Sequence, residues 1–144
     1  MKIILRDYRS SDLAFLSEML YEAVYWRRRS DTPSLQDALA NPELRKDIDH
    51  MGSRNGDIAL LACVNEVPAG AVWIRYWKVE DGIRGYISDE IPILAIAVKE
   101  PFRHQGIGAV LLDGMINAAR DRGMDRISLC VSKDNVAQKL YRSK

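Results

Sequence analysis

The sequence has no long apolar run, no surplus of either charge and very little cysteine, and each shortage removes a class of protein. Its longest apolar stretches, "IALLACV" and "ILAIAV", fall far short of the roughly 20 residues that cross a bilayer. The start, "MKIILRDYRSSD", is charged within a few residues and lacks the apolar core of a signal peptide. A cytoplasmic protein with no membrane partner is therefore expected. Twenty-one Lys and Arg against 20 Asp and Glu leave a net charge of +1, so a general grip on polyanions, nucleic acid included, is not expected. The two cysteines, Cys63 and Cys130, sit in separate apolar strand-like runs. They read as small buried hydrophobes in a reducing compartment, not as a disulfide framework. His50 has no partner at ligand spacing, and no metal site is expected.

What is present is the balance of one globular domain. At 144 residues, 47% of them hydrophobic and 28% charged, the chain can build a single core. No repeat, low-complexity tract or linker divides residues 1–144. Lys2–Arg6 reads as a strand. Leu13, Leu16, Leu20 and Val24 recur at helical spacing behind Ser10, Ser11 or Asp12 as N-cap. "SLQDALANPELRKDIDHM" reads as one or two short helices broken near Asn41-Pro42. "DIALLACV", the turn "NEVP" and "AGAVWIRYW" form a hairpin. The run Tyr86–Val98 contains a third long strand, made irregular early by Pro92. Ile107, Val110, Leu111, Met115, Ala118 and Ala119 trace a helix face ended by Gly123. "RISLCV" is a further strand and "DNVAQKLY" a last helix. Hairpins first and a crossover afterwards predict an α/β (α+β) domain, a mixed sheet flanked by helices.

One turn stands apart, in "VKEPFRHQGIGAVLLDGM". Gly106 and Gly108 open a helix directly behind an apolar strand. Free N–H groups and the helix dipole make such a start an anion site, and glycines let a phosphate approach the backbone. Arg103, and less clearly His104, add charge from the loop. An isolated Gly-x-Gly more often serves only close packing of helix on sheet. Two other phosphate motifs do not fit. No Gly-Lys-Ser/Thr occurs anywhere, and a dinucleotide fingerprint would need a third glycine where Leu111 stands.

The combination of "ILAIAVKEPFRHQGIGAVLL" with "DNVAQKLY" resembles the GNAT superfamily of N-acetyltransferases. The first segment matches the family's pyrophosphate signature R/Q-x-x-G-x-G/A at Arg103, Gly106 and Gly108. The second matches N-x-A-x-x-L-Y at Asn135, Ala137, Leu140 and Tyr141. The resemblance covers roughly Ile93 to Tyr141. It implies that acetyl-CoA binds as co-substrate, its pyrophosphate on the backbone N–H groups of Arg103, His104, Gln105, Gly106, Ile107, Gly108 and Ala109. It implies further that the pantetheine arm lies along Leu94–Val98 as an added strand would, with an amide of Ile96 or Val98 meeting the oxyanion and Ala97 within the same stretch. Asn135 would contact the arm, or simply cap its helix.

Acyl transfer to an amine needs a neutral nucleophile, a stabilised oxyanion and a protonated leaving thiol. By the resemblance Tyr141 is the general acid; packing on the last helix is its plainer role. Glu90, with Asp89 beside it, is the candidate base where the third strand begins, unless ordered water serves. In "YWRRRSDTP", Tyr25, Trp26 and three arginines lie where the acceptor site is expected, although a solvated basic helix end explains them as well. Trp73, Tyr76 and Trp77 read as core or interface residues. The reading is an N-acetyltransferase acting on a small-molecule or peptide amine by direct attack in a ternary complex. The alternative is a catalytically idle acyl-CoA-binding or regulatory module. Family members generally continue past the tyrosine with further strands, whereas this chain stops at "LYRSK". The expectation is a GNAT-like domain with its C-terminal strands missing, truncated after the last helix. A homo-oligomer covering the open sheet edge would follow.

Overall fold

A computed structural model describes residues 2–25, 30–83 and 86–129. Five strands form one sheet in sequence order: β1 (Ile3–Asp7), β2 (Ile58–Val64), β3 (Val67–Arg75), β4 (Ile93–Val98) and β5 (Ser128–Leu129). The first four pair antiparallel and β5 joins β4 in parallel, so the sheet is mixed as expected. Both faces are covered. On one, α4 (Ile107–Asp121) lays Ile107, Leu111, Leu112, Met115 and Ala119 on Leu60, Val72, Ile74 and Leu94. On the other, α1 (Leu13–Val24) lays Leu16, Met19 and Leu20 on Leu61, Ala71, Trp73 and Ala97. This is why β2 is apolar at every position instead of alternating: neither of its faces meets water.

The hairpin turn is tighter than "NEVP" implies. Asn65 and Glu66, both at positive φ, make a two-residue turn, and Val67 already pairs with Val64. Pro68 is tolerated because the register slips beside it. Ala62 faces Gly70 while Cys63 faces Pro68, which leaves Ala69 bulged out.

The inward stripe of α1 also differs from its expected one. Leu13 and Val24 are 48% and 47% exposed, while Met19 is fully buried. At 100° per residue, Leu16, Met19, Leu20 and Ala23 share one centre, and Leu13 and Val24 point roughly 70° and 90° away from it. Asp12 stands at the N-cap position, but its carboxylate turns back to Arg6, at 2.7 and 2.8 Å, and to the Arg9 N–H at 2.9 Å. Two short helices follow, α2 (Leu35–Leu39) and α3 (Pro42–Arg45), divided at Asn41-Pro42 as expected. Ser34 Oγ accepts from Asp37 N and Asn41 Oδ1 from Glu43 N, each capping its helix.

The third long strand is shorter than Tyr86–Val98. It begins only at Ile93, just after Pro92, whose carbonyl accepts the Ser128 N–H of β5 at 2.9 Å. A proline fits that entry position because no ladder donor is required there. At the far end of α4, Met124 N donates to Ala119 O and Gly123, at φ +82°, donates to Arg120 O, so the helix closes where Gly123 marked its end. Within α4, Gly114 lets the helix settle on β1: a Cβ there would lie 2.3 Å from Leu5 Cδ1.

Candidate functional site

The site grows from the end of β4. Lys99 N donates to Ala69 O at 2.7 Å, which continues the β3–β4 ladder one step past Val98. In an antiparallel ladder, hydrogen-bonded pairs alternate with non-bonded ones. Ile93, Ala95 and Ala97 therefore turn their backbone groups to β3, while Leu94, Ile96 and Val98 turn theirs to the opposite edge. β5 is described there only opposite Ile93 and Leu94. The amides of Ile96 and Val98 thus face the edge along which an added strand would lie. Ala97, between them, turns its backbone groups to Ala71 of β3.

Beyond Lys99 a single 3₁₀ turn, Glu100–Phe102, swings the chain round, with Phe102 packed on the α4 core. His104 follows at φ +65° and Gly106 at φ +83°, after which α4 begins at Ile107. A Cβ on Gly106 would meet nothing within 4 Å. The glycine is needed there for its left-handed backbone, not for space. Ile107, Gly108 and Ala109 hold the first-turn N–H groups, which have no intrahelical acceptor, and the N-cap glycine has no side chain to offer them. The first ladder of α4 begins one residue later, Val110 N to Gly106 O at 3.2 Å. A concave row of donors at a positive helix end is what an anion requires.

Arg103 is placed otherwise than as a charge facing that anion. Its Nε donates to the Val98 carbonyl at 2.9 Å, and its other arm donates to Glu22 Oε2 of α1, also at 2.9 Å. Gln105 Nε2 reaches back to Pro101 O at 3.3 Å, and His104 is exposed.

The proposed base has moved off the strand. Glu90 lies exposed in a turn three residues before β4, its N–H on Ser88 Oγ at 3.2 Å, so strand alternation says nothing about its direction. Asp89 accepts a very short hydrogen bond from the Tyr86 hydroxyl. That bond holds the Tyr86 pKa above its ordinary value. Tyr141 and Asn135 lie outside the described residues, as do Trp26 and the three arginines behind it. Tyr25 stacks at a tilt on Tyr21, ring centres 5.2 Å apart, and the Tyr21 hydroxyl donates to Pro33 O at 2.6 Å. Trp73 and Trp77 are buried, as core residues should be, with the Arg54 guanidinium 5.1 Å above the Trp77 ring.

A charged cluster on the α1 side of the sheet escaped sequence reasoning. Arg75 and Asp57, both side chains wholly buried, form a two-pronged pair at 3.0 and 2.8 Å. Arg75 also donates to Lys46 O, and Asp57 accepts the N–H groups of Gly52 and Arg54. Burial would raise the Asp57 pKa, but the Arg75 hydrogen bond and charge outweigh it and hold the carboxyl below its ordinary value. Asp47 has no such partner. Burial pushes it up to about 6, with Arg75, the Trp73 indole and Lys46 pulling the other way. The available signal was an arginine ending an otherwise apolar strand and an aspartate opening its neighbour.

Among the described residues no group of His, Cys, Asp or Glu is arranged to hold a metal, and no helix is long and apolar enough to cross a membrane.

Residues 20–143 match the profile of the Acetyltransferase (GNAT) family. The L-2,4-diaminobutyric acid acetyltransferase of Streptomyces coelicolor is 29% identical over an alignment of 120 residues that covers 78% of this chain and 71% of that one. Among solved structures, a GNAT-family acetyltransferase from Streptococcus pneumoniae superposes with a TM-score of 0.68 at 21% identity, over 99% of this chain and 82% of that one. A putative acetyltransferase from Salmonella typhimurium, solved with its cofactor acetyl-CoA, gives 0.65 at 23%, over 99% and 78%. The two-glycine turn, the strand edge before it and the fold around them agree with that match, and the chain belongs to the GNAT family of acetyltransferases.

Proposed function

We propose that the protein transfers an acetyl group from acetyl-CoA to a primary amine by direct attack in a ternary complex. The observation that carries this is the left-handed Gly106 turn, with the open N–H groups of Ile107, Gly108 and Ala109 set at the end of a strand whose outer edge presents Ile96 and Val98. These residues fit a coenzyme A: donors for a diphosphate, then an edge to pair with the amides of the arm. When bound, acetyl-CoA supplies the activated thioester.

The chain's own groups do the rest. The Ile96 or Val98 N–H stabilises the oxyanion, a task for a fixed backbone donor. Tyr141 returns a proton to the departing thiol; a phenol of pKa near 10 can protonate a thiolate of pKa near 8.5 when the two are held together. Asn135 contacts the arm. The acceptor, an alkyl ammonium of pKa near 10.4, must lose a proton before it attacks. Glu90, exposed ahead of β4, takes that proton directly or through water, since Asp89 is held by Tyr86. The name of the curated relative supports a small amino acid bearing a side-chain amine as acceptor. The names of two similar structures, for phosphinothricin and an aminoglycoside analogue, support a small-molecule amine in general.

The test is release of free thiol from acetyl-CoA with a panel of amines that includes L-2,4-diaminobutyrate, amino sugars and a peptide N-terminus. Turnover that falls in Tyr141→Phe is expected. Saturable coenzyme A binding with no turnover on any amine would instead favour an acyl-CoA-binding module, and no binding would remove the proposal altogether.

A further inference from the structure

Two cations flank the anion loop, and a single helix answers both. Lys99 Nζ lies 3.8 Å from Glu18 Oε2, and Arg103 lies 2.9 Å from Glu22 Oε2. Glu18 and Glu22 stand one turn apart on α1. The two pairs are not equal. Lys99 and Glu18 are 40% and 38% exposed, the condition in which an ion pair contributes little. Arg103 and Glu22 are 33% and 18% exposed and meet at hydrogen-bonding distance.

Arg103 alone also reaches a third element, through Nε to the Val98 carbonyl. That carbonyl is the last on the outer edge of β4. Arg103 takes one of its two lone pairs, and the next N–H, of Lys99, turns to Ala69, so the Val98 N–H is the last donor an added strand meets. The edge ends where the anion loop begins. The loop itself is bent through two left-handed residues, His104 and Gly106; at His104, which is not a glycine, such a backbone persists only when its surroundings hold it. A guanidinium with a rigid fork of donors is suited to such bracing in a way that a lysine is not.

We propose that Arg103 is a positioning residue which, anchored on Glu22, braces the anion loop against the end of β4 and ties α1 to the cofactor seat. This rests on the reading of that loop as the seat of a coenzyme A diphosphate. It assigns the motif arginine a mechanical role, and it gives Glu22, an acid beside an anion site, a reason to be there.

The sign of one substitution separates bracing from charge. Taken as a charge, Glu22 repels a diphosphate, so Glu22→Gln would tighten binding of coenzyme A. Taken as an anchor, its loss loosens the seat and weakens binding by about tenfold, the scale of one charge-assisted hydrogen bond. Calorimetry with coenzyme A on the full chain reads this directly. Arg103→Gln should weaken binding similarly, and the double variant should be no worse than either single one, as for two members of one unit. Arg103→Lys, which keeps the charge but loses the fork, should bind as poorly as Arg103→Gln. Equal or tighter binding by Glu22→Gln, additive losses in the double variant, or full recovery in Arg103→Lys would each overturn the inference. Absence of any heat with the unaltered protein would overturn the seat itself, and the brace with it.

Discussion

The two faces of the sheet are built on different principles. Under α4 the core is hydrocarbon: Leu60, Val72, Ile74 and Leu94 against Ile107, Leu111, Leu112 and Met115. Under α1 the apolar layer of Leu16, Met19, Leu20 and Trp73 is bordered by Arg75, Asp57 and Asp47. The first face holds α4, and with it the Gly106 turn, by apolar packing alone. The second carries charge that must be matched group by group, and α1 also holds Arg103 through Glu22. A hydrocarbon face is non-directional and tolerates repacking, whereas a buried charge network specifies an arrangement and is destabilising wherever it is incomplete.

The largest effect should come from breaking the network on the α1 side. Removing one partner of the wholly buried Arg75–Asp57 pair, as in Asp57→Ala, leaves an uncompensated guanidinium and should cost about 3–5 kcal/mol. Urea unfolding would measure it. A loss under 1 kcal/mol would mean that the pair is not sealed from water. On the α4 face, Leu111→Ala removes a fully buried side chain and should cost about 2–5 kcal/mol. Unlike Asp57→Ala, it should leave the shape of the stability-versus-pH curve unchanged.

Asp47 sharpens the contrast because its sign is opposite to that of Asp57. Its folded pKa of about 6 stands above the ordinary 3.8, so the folded protein binds that proton more tightly than the unfolded chain does. Its contribution is best below about pH 4, falls as the pH rises toward 6, and then stays flat. The difference corresponds to at most about 3 kcal/mol, from 1.36 kcal/mol per unit. Asp47→Asn should therefore stabilise the protein at pH 7.5 and flatten that limb of the curve in urea titrations at several pH values. A variant less stable than the parent at pH 7.5 would refute it. Asp57, held low by Arg75, behaves in reverse and loses its contribution as the pH drops below the ordinary carboxylate range.

The smallest effect on stability belongs to the turn. Gly106→Ala meets no steric obstacle, so its cost is that of a left-handed alanine, about 1–2 kcal/mol. If the turn is the seat of a diphosphate, coenzyme A affinity should fall by more than this loss of stability explains. Equal affinity in calorimetry would reduce Gly106 to a helix start.

Element order was legible because apolar periodicity, caps and breakers are local. Ser34, Asn41 and Gly123 mark helix boundaries in the string and do so in the fold. The two-glycine motif was legible for the same reason, since a left-handed N-cap is a property of one residue. Less visible was anything that depends on two distant segments. The inward stripe of α1 turned on Met19, which the Leu13–Leu16–Leu20–Val24 spacing passes over. Glu90 was placed at the start of a strand that begins only at Ile93.

By itself the sequence determined an α/β chain with a two-glycine helix start behind a strand, because those features are written in neighbouring residues. Tertiary structure alone decided that Arg103 turns to Val98 and Glu22, that Arg75 finds Asp57, and that Asp47 is left as a carboxyl without a full partner. A charged side chain's role follows from what burial takes away and which opposite charge returns it. Both depend on contacts between residues 18 to 81 positions apart.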